Sequence, residues 1–303
     1  MVTGVYFTPS TCKFIRRVFF VIILGGLALT STRAEVVFVS GVNAGSGWYD
    51  TNKVWDGTDY NLCWAAASSN VLQWWQDRQT YVPSNIPNGV SVGYTYESDI
   101  FRTIYGNFPN IYGNCQVINW WLVGNRTFYN PSPSSSTGWS GGYWTNYLND
   151  SQTSLAQWYE ISNSTTFSNR VVSALQHDFA ITLWLQYSPN TNVAHYVTLW
   201  GYEMTSNYID SIWISDSDDM YSGLVKYNID PFTLSLNLDP SMYGTESLNA
   251  IQNFKIGGLY TVEGLLVAIP EPETGMLILC GIAILFIIGR LRGKLASDKV
   301  SHL

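Results

Sequence analysis

Thiol and imidazole side chains are the groups of this chain best suited to nucleophilic catalysis. Of four cysteines and three histidines, Cys63, Cys115, His177 and His195 lie between residues 35 and 268. A thiol nucleophile needs a base, and we favour His195 over His177 for that role. Cys63 falls in the first turn of a predicted helix, where the helix dipole and a nearby imidazolium favour the thiolate. These residues indicate acyl transfer.

An acidic segment is expected to orient the base. His195 lies near the start of a predicted strand, and the next strand runs into the acidic residues at 216–219. A carboxylate there can accept the second imidazole N–H and fix the tautomer. We therefore predict that Asp216, with Asp218 beside it, supports His195. A solvated turn or a calcium-binding loop are the alternatives for this segment.

The cysteines also admit a structural interpretation. In an oxidising compartment Cys63 and Cys115 could form a disulfide, and a lone buried cysteine is usually a core residue. The chain has no Cys-x-x-Cys motif and no histidine cluster. We therefore predict neither a structural zinc site nor any cofactor.

The elements predicted around these residues indicate an α+β fold. The clearest helix covers residues 62–78, with Asp59 or Asn61 expected to cap its start. Further helices are expected near 96–105 and 115–122, and a helix end at 171–177. Alternation and β-branched or aromatic content predict strands at 35–40, 180–187, 193–203, 211–215 and 224–229. A helix followed by a run of antiparallel strands is typical of α+β packing.

Composition and charge exclude several classes of protein. The 303 residues are 46% hydrophobic and 15% aromatic but only 12% charged, which excludes disorder over most of the chain. The formal charge of −7 excludes the basic surface that binds nucleic acid. Residues 35–268 hold 19 acidic and 7 basic residues, a net charge of −12, which favours solubility outside the cell and disfavours acidic substrates.

The N-terminus has the layout of a secretory signal peptide. Basic residues at 13–17 precede an uncharged run at 18–30 and small residues up to Ala34. This order predicts a signal peptide over residues 1–34, cleaved after Ala34. A permanent anchor is the alternative, although the apolar run is shorter than the roughly 20 residues that a spanning helix needs.

The C-terminus resembles a PEP-CTERM sorting signal. The triplet Pro270-Glu271-Pro272 is followed by an apolar run at 276–288 and basic residues at 290–294, which are expected to stay cytoplasmic. The resemblance implies a sorting signal with a transmembrane helix over residues 269–303, processed by an exosortase-type enzyme. A plain membrane anchor is the alternative. Residues 35–268 would then form the exported catalytic domain.

Several blocks of that domain resemble the active-site region of the Mac/IdeS immunoglobulin-degrading cysteine endopeptidases. They are Gly47-Trp48-Tyr49-Asp50, Lys53, Gly57, Asp59, Leu62-Cys63, Ala65-Ala66, Asn70, Leu72 and Trp74-Trp75, then His-Tyr-Val-Thr-Leu-Trp-Gly from His195 and Asp-Ser-Asp from Asp216. The blocks occur in the family's order between about residues 37 and 268.

The resemblance implies a papain-like fold and a role for each matched residue. The nucleophile falls on Cys63, the base on His195 and the supporting acidic pair on Asp216 and Asp218. The family's lysine, ten residues before the nucleophile, falls on Lys53, where it would help to stabilise the oxyanion. An ordinary surface lysine is the alternative at that position.

The chain departs from the family next to the nucleophile. Family members commonly have Gly there, whereas this chain has Trp64, as papain-type enzymes do. We expect Trp64 to alter the wall beside the scissile bond.

Together these features predict an exported cysteine endopeptidase that cleaves a protein substrate through a thioester. A thiol acyltransferase or crosslinking enzyme and an inert surface-binding module are the alternatives. Immunoglobulin specificity does not follow, because residues 81–166 contain no matching blocks. Expected partners are a protein substrate, the processing enzyme and, before processing, the membrane. The expected location is the cell envelope, the cell surface or the medium.

Overall fold

A computed structural model describes residues 34–53, 58–89, 92–93, 98–124, 141–148, 155–188, 193–219, 223–238 and 254–263. The chain divides into two compact units, Met1–Glu35 and Val36–Leu303, and the features below lie in the second, apart from Glu35, the first residue of a strand. The predicted signal peptide, except residue 34, and the predicted sorting signal lie outside the described residues. Among the described residues, no helix combines the length and the apolar character needed to cross a bilayer.

The described residues form four helices. They are α1 Cys63–Asp77, α2 Asp99–Asn107, α3 Val117–Val123 and α4 Ser164–Gln176. In α1 every residue from Cys63 to Gln76 is buried, including the polar ones. Because α1 is buried on all sides, it is the central helix of the core. Its polar side chains therefore need hydrogen-bond partners inside the protein.

Ten strands accompany these helices in the described part of the chain. They are β1 Glu35–Phe38, β2 Asp50–Thr51, β3 Val92–Gly93, β4 Ala156–Glu160, β5 Ala180–Tyr187, β6 Ala194–Met204, β7 Ile209–Ser215, β8 Val225–Ile229, β9 Leu236–Leu238 and β10 Phe254–Val262. Eight of them form one sheet in the order β4-β10-β5-β6-β7-β8-β9, with β1 also paired to β6. β2 and β3 form a separate parallel pair.

The sheet packs against α1 through its central strands. α1 contacts β5 and β6, and β6 is buried from His195 to Tyr202. Neighbouring strands pair antiparallel, with Leu185 opposite His195 and Thr198 opposite Ser215. The N-terminal end of a buried helix therefore lies against an antiparallel sheet, and the α+β, papain-like fold predicted from the sequence is confirmed.

The predicted elements are largely present, with two corrections. β5 has the predicted bounds, and α1 differs from the predicted helix by one residue at each end. The predicted cap was wrong, because Leu62 is the N-cap and no side chain caps the helix. The Asn61 side chain instead donates to the Asn110 carbonyl over 3.2 Å. The strands β2, β3, β4, β9 and β10 were not predicted.

Candidate active site

Cys63 is the first residue of α1, and its side chain lies where the helix meets the sheet. The residue is buried, with 8% of its surface exposed. Leu62, the N-cap residue, makes no side-chain hydrogen bond to the first turn of α1. The Cys63 thiol therefore lies at a helix start that its N-cap side chain does not cap.

Asn70 fastens α1 to the strands that carry the other candidate residues. Its Oδ1 accepts from the Thr51 backbone N–H at 2.9 Å. Its Nδ2 donates to Thr198 Oγ1 on β6 at 3.1 Å and to Ser215 Oγ on β7 at 3.3 Å. One buried amide thus connects α1 to three chain segments.

His195 and Asp216 form a close pair between β6 and the end of β7. Because Thr198 pairs with Ser215 in the antiparallel register, residues just after β7 lie beside the start of β6. His195 Nε2 lies 2.5 Å from Asp216 Oδ1, and both residues are buried. The Asp218 backbone N–H donates to the same Oδ1 at 3.0 Å, which fixes the carboxylate.

The environment of the imidazole favours its protonated form. Burial alone lowers the pKa of His195, but the charges of Asp216 and Asp218 and hydrogen bonds to Asp216 and Cys63 raise it well above its usual value. Burial likewise raises the pKa of Asp216, yet the neighbouring His195 and Lys53 bring it below its usual value. Since Asp216 occupies Nε2, Nδ1 is the nitrogen left for the Cys63 thiol.

Asp218 and Lys53 form a second pair beside the imidazole. Lys53 Nζ lies 2.6 Å from Asp218 Oδ1, and Asp218 Oδ2 lies 3.6 Å from His195 Nδ1. The ammonium also donates to the Tyr60 carbonyl at 2.6 Å, and the Lys53 N–H donates to the Ser217 carbonyl at 3.0 Å. Lys53 is buried, so the surface-lysine alternative is wrong.

The structure thus brings all five sequence-predicted site residues together at one end of α1. The other candidate base, His177, does not belong to this group. It is exposed at the end of α4, and its Nδ1 lies 2.7 Å from the Ser173 carbonyl. Cys63 and Cys115 are both free thiols, which excludes the disulfide alternative in this structure. Burial raises the pKa of the Cys115 thiol to about 12, so Cys115 is inert near neutral pH.

Asp50 is a buried acid that the sequence reasoning left without a role. It is 1% exposed on β2 and adjoins the segment of Asp216, because Ser215 Oγ donates to the Tyr49 carbonyl. Burial first and the charge of Asp216 second raise the pKa of Asp50 well above its usual range. Both causes disfavour the charged form of the Asp50 carboxyl group.

The same side chains also meet the minimum for a metal site. His195, Asp216 and Asp218 each offer a ligand atom, and these atoms lie within 4.8 Å of one another. However, the Lys53 ammonium already neutralises Asp218 at 2.6 Å. A cation bound there would face that ammonium, so the donor set fits an ion-paired acid–base site better than a metal site.

The side chain of Trp64, which was expected to alter the wall beside the scissile bond, lies in the core. The indole is buried, packs edge-to-face on Phe108 and donates from Nε1 to the Ile111 carbonyl at 3.1 Å. Trp64 therefore fixes the loop that contains Ile111 and is not itself exposed.

Comparisons with known proteins give two similarities. A protein-family model described as Mac 1 matches residues 28–96, a stretch that includes Lys53 and Cys63. An IgM protease of Streptococcus suis (strain P1/7) is 26% identical over 216 residues, which cover 58% of this chain. The chain covers only 18% of the length of that relative. Both similarities suggest a cysteine endopeptidase at the level of the family.

Proposed function

We propose that this protein is an exported cysteine endopeptidase of the Mac/IdeS type. The observation that carries the proposal is the contact of the Cys63 thiol with an imidazole that Asp216 holds at 2.5 Å. A thiol at a helix start beside a charged imidazole is the arrangement that activates cysteine nucleophiles. The Mac 1 match and the IgM protease similarity support a peptide bond as the target.

Each group has a stated part in the proposed acyl transfer. The Cys63 thiolate attacks the peptide carbonyl, and the imidazolium of His195 gives its proton to the leaving amine. Water then attacks the thioester while His195 takes up the water proton, and the acid product leaves with the thiolate restored. Asp216 keeps the imidazole oriented throughout.

Two donors are proposed for the developing oxyanion. One is the Cys63 backbone N–H at the uncapped start of α1. The other is Lys53, whose ammonium has three N–H groups. Two of them donate to Asp218 and to the Tyr60 carbonyl. The remaining N–H is the one we assign to substrate.

Export and sorting complete the proposal. The IgM protease similarity supports an exported protein, in line with the signal peptide expected over residues 1–34. We propose that residues 269–303 act as a PEP-CTERM-like sorting signal that holds the chain at the membrane until an exosortase-type enzyme processes it. The substrate is a protein at the cell surface or in the medium, and no antibody specificity is proposed.

Digestion of a mixed proteome tests the function. Wild-type protein is compared with Cys63→Ala, and new peptide N-termini are identified by mass spectrometry. Cys63→Ala should remove every cleavage that the wild type makes, whereas Cys115→Ala, the matched control, should cleave as the wild type does. New isopeptide or transferred-amine products in place of new N-termini would favour the acyltransferase alternative, and no Cys63-dependent product would refute the proposal.

A further inference from the structure

Ser215 is the last residue of β7, and its side chain makes three hydrogen bonds inside the protein. The residue is buried, with 1% of its surface exposed. Its Oγ donates to the Tyr49 carbonyl at 2.8 Å and accepts from Trp200 Nε1 at 2.9 Å and from Asn70 Nδ2 at 3.3 Å. A serine hydroxyl has one O–H donor and two acceptor lone pairs. The Ser215 hydroxyl therefore uses its full hydrogen-bonding capacity on three separate parts of the chain.

These three parts are the ones that carry the other candidate site residues. The carbonyl belongs to the segment that leads through β2 to Lys53. The amide lies in α1, the helix that starts with Cys63. The indole lies on β6, the strand that carries His195. One buried oxygen thus links the segments of the candidate nucleophile, the candidate base and the lysine.

A β-bulge lies at the indole donor. The pairing of β6 with β7 shifts register between Leu199 and Gly201, so Trp200 is the extra residue of β6 at that point. Its side chain is fully buried, and its Nε1 lies 2.9 Å from Ser215 Oγ. Bulges commonly redirect a side chain next to a functional site. At this bulge the side chain supplies an N–H donor, and the acceptor is the residue before Asp216.

The backbone links Ser215 to the acid–base pair. Ser215 pairs with Thr198 at the end of β7, and Asp216 follows directly. The Oδ1 of Asp216 lies 2.5 Å from His195 Nε2. Hydrogen bonds weaken when their distance or angle departs from the preferred range. A shift of the end of β7 would therefore weaken the bond between the carboxylate and the imidazole.

We propose that Ser215 is a positioning residue, whose hydroxyl holds the end of β7 so that Asp216 keeps its hydrogen bond to His195. This inference rests on the proposed peptidase function. Ser215 takes no part in acyl transfer and acts on the reaction only through Asp216. A buried serine that served the core alone would stabilise the fold without affecting the imidazole, so the two roles give different results in an experiment.

The protonation of the imidazole separates positioning from stability. Asp216 and Asp218 favour the imidazolium, and Cys63 forms a hydrogen bond with it. Lys53 pairs with Asp218. The variants used in the test leave all these groups in the chain. If the Asp216 carboxylate moves away, the pKa of His195 should fall, and the alkaline limb of activity should move to lower pH.

Ser215→Ala and Trp200→Phe of the full chain test the inference. The first removes the hydroxyl, and the second removes one of its donors but keeps an aromatic ring. Both should lower kcat on a peptide that the wild type cleaves, by about tenfold to hundredfold for Ser215→Ala, with little change in KM. Both should also lower the pKa of His195, measured by NMR titration of its ring protons. Ser215→Thr keeps a hydroxyl and should restore most of both values.

Ser211→Ala is the matched control. Ser211 is also buried on β7, but its Oγ donates to Glu203 Oε2 at 3.1 Å. Its replacement should leave kcat and the His195 titration unchanged. If Ser215→Ala lowers only the free energy of unfolding, and the folded variant has the kcat and the titration of the wild type, the inference is wrong.

Two further outcomes are also decisive. If Ser215→Ala does not fold, Trp200→Phe takes its place, and a wild-type kcat and titration in that variant would refute the inference. Absence of Cys63-dependent cleavage by the wild type would overturn the proposed function alone. The His195 titration would then still show whether Ser215 holds Asp216 in place.

Discussion

Lys53 and Asp218 form a 2.6 Å ion pair that places a positive charge directly beside the candidate base. The ammonium is held from a second side by the Tyr60 carbonyl. We propose two tasks for Lys53, which are to orient Asp218 and to offer one N–H to the substrate oxyanion. The two tasks make different kinetic predictions.

Lys53→Met should lower kcat by about 10² to 10³ with little effect on KM, because one oxyanion donor is lost. Loss of the positive charge should also raise the pKa of His195 further, so the alkaline limb of the rate profile should not move down. Lys53→Arg keeps the charge and the pairing with Asp218 and serves as the comparison. If Lys53 only orients Asp218, Lys53→Arg should keep full activity. Lys53→Met should then change the alkaline limb of the rate profile without lowering kcat.

Removal of the carboxylate charges should move the alkaline limb of activity. Because Asp216 and Asp218 raise the pKa of His195, the imidazolium persists to higher pH in the wild type. Asp216→Asn and Asp218→Asn should each lower that pKa and bring the alkaline limb to lower pH, with the larger shift for Asp216. Asp216→Asn should also lower kcat/KM by about 10² or more.

Rate profiles of kcat/KM against pH measure this effect. Asp210→Asn, on β7 but bonded to Thr205, is the matched control and should leave the profile unchanged. An unchanged alkaline limb in Asp216→Asn would mean that another group controls it.

Asp50→Asn should stabilise the protein at neutral pH. The folded-state pKa of Asp50 is raised, so its protonated form favours folding below the unfolded pKa, and that contribution is lost as pH rises through the folded value. Asparagine mimics the neutral acid at every pH. Thermal unfolding should therefore show a higher Tm for the variant than for the wild type at pH 7, and the difference should vanish at acidic pH. Equal Tm values at pH 7 would show that burying the Asp50 carboxylate does not destabilise the protein.

Asn70→Leu should loosen the nucleophile helix from the sheet. It leaves the buried Thr51 N–H without its acceptor, at a cost of about 1 to 3 kcal/mol in the free energy of unfolding. It also removes the hydrogen bonds to Thr198 and Ser215, which hold α1 against β6 and β7. We therefore expect kcat to fall even under conditions in which the variant remains folded. Denaturant unfolding and kcat together test this, with Asn43→Leu, an exposed asparagine bonded locally to Ser46, as control. A wild-type kcat in Asn70→Leu would show that α1 keeps its position without the amide.

The parts of the fold that local pattern controls were predictable. α1 has helix-forming residues and a clear apolar periodicity, and β5 has eight residues of high β-propensity, so both were found nearly to the residue. The candidate base and its acidic partner were inferred from the scarcity of histidine and from the acidic residues after β7, whereas Lys53 was named only through the resemblance to the Mac/IdeS family. Their distances, however, depend on the register of β6 against β7, which no local pattern reveals.

β10 was missed for an identifiable reason. Its interior contains Gly257 and Gly258, residues that disfavour strands. Both make room for distant tryptophans: a Cβ at Gly257 would lie 2.7 Å from the Trp184 ring, and one at Gly258 would overlap Trp158. The need for glycine there arises from cross-strand contacts. The cap of α1 was mispredicted because of a distant contact too. The Asn61 side chain donates to the carbonyl of Asn110, 49 residues away, and does not cap the helix.

The rate at which iodoacetamide alkylates each cysteine tests the central claim most directly. In wild type near pH 6, mass spectrometry should find rapid labelling of Cys63 and none of Cys115, and His195→Ala should slow the labelling of Cys63 strongly. Labelling of Cys63 that is slow near pH 6 and unaffected by His195→Ala would contradict the account, because the thiol would then be a core residue and not a nucleophile.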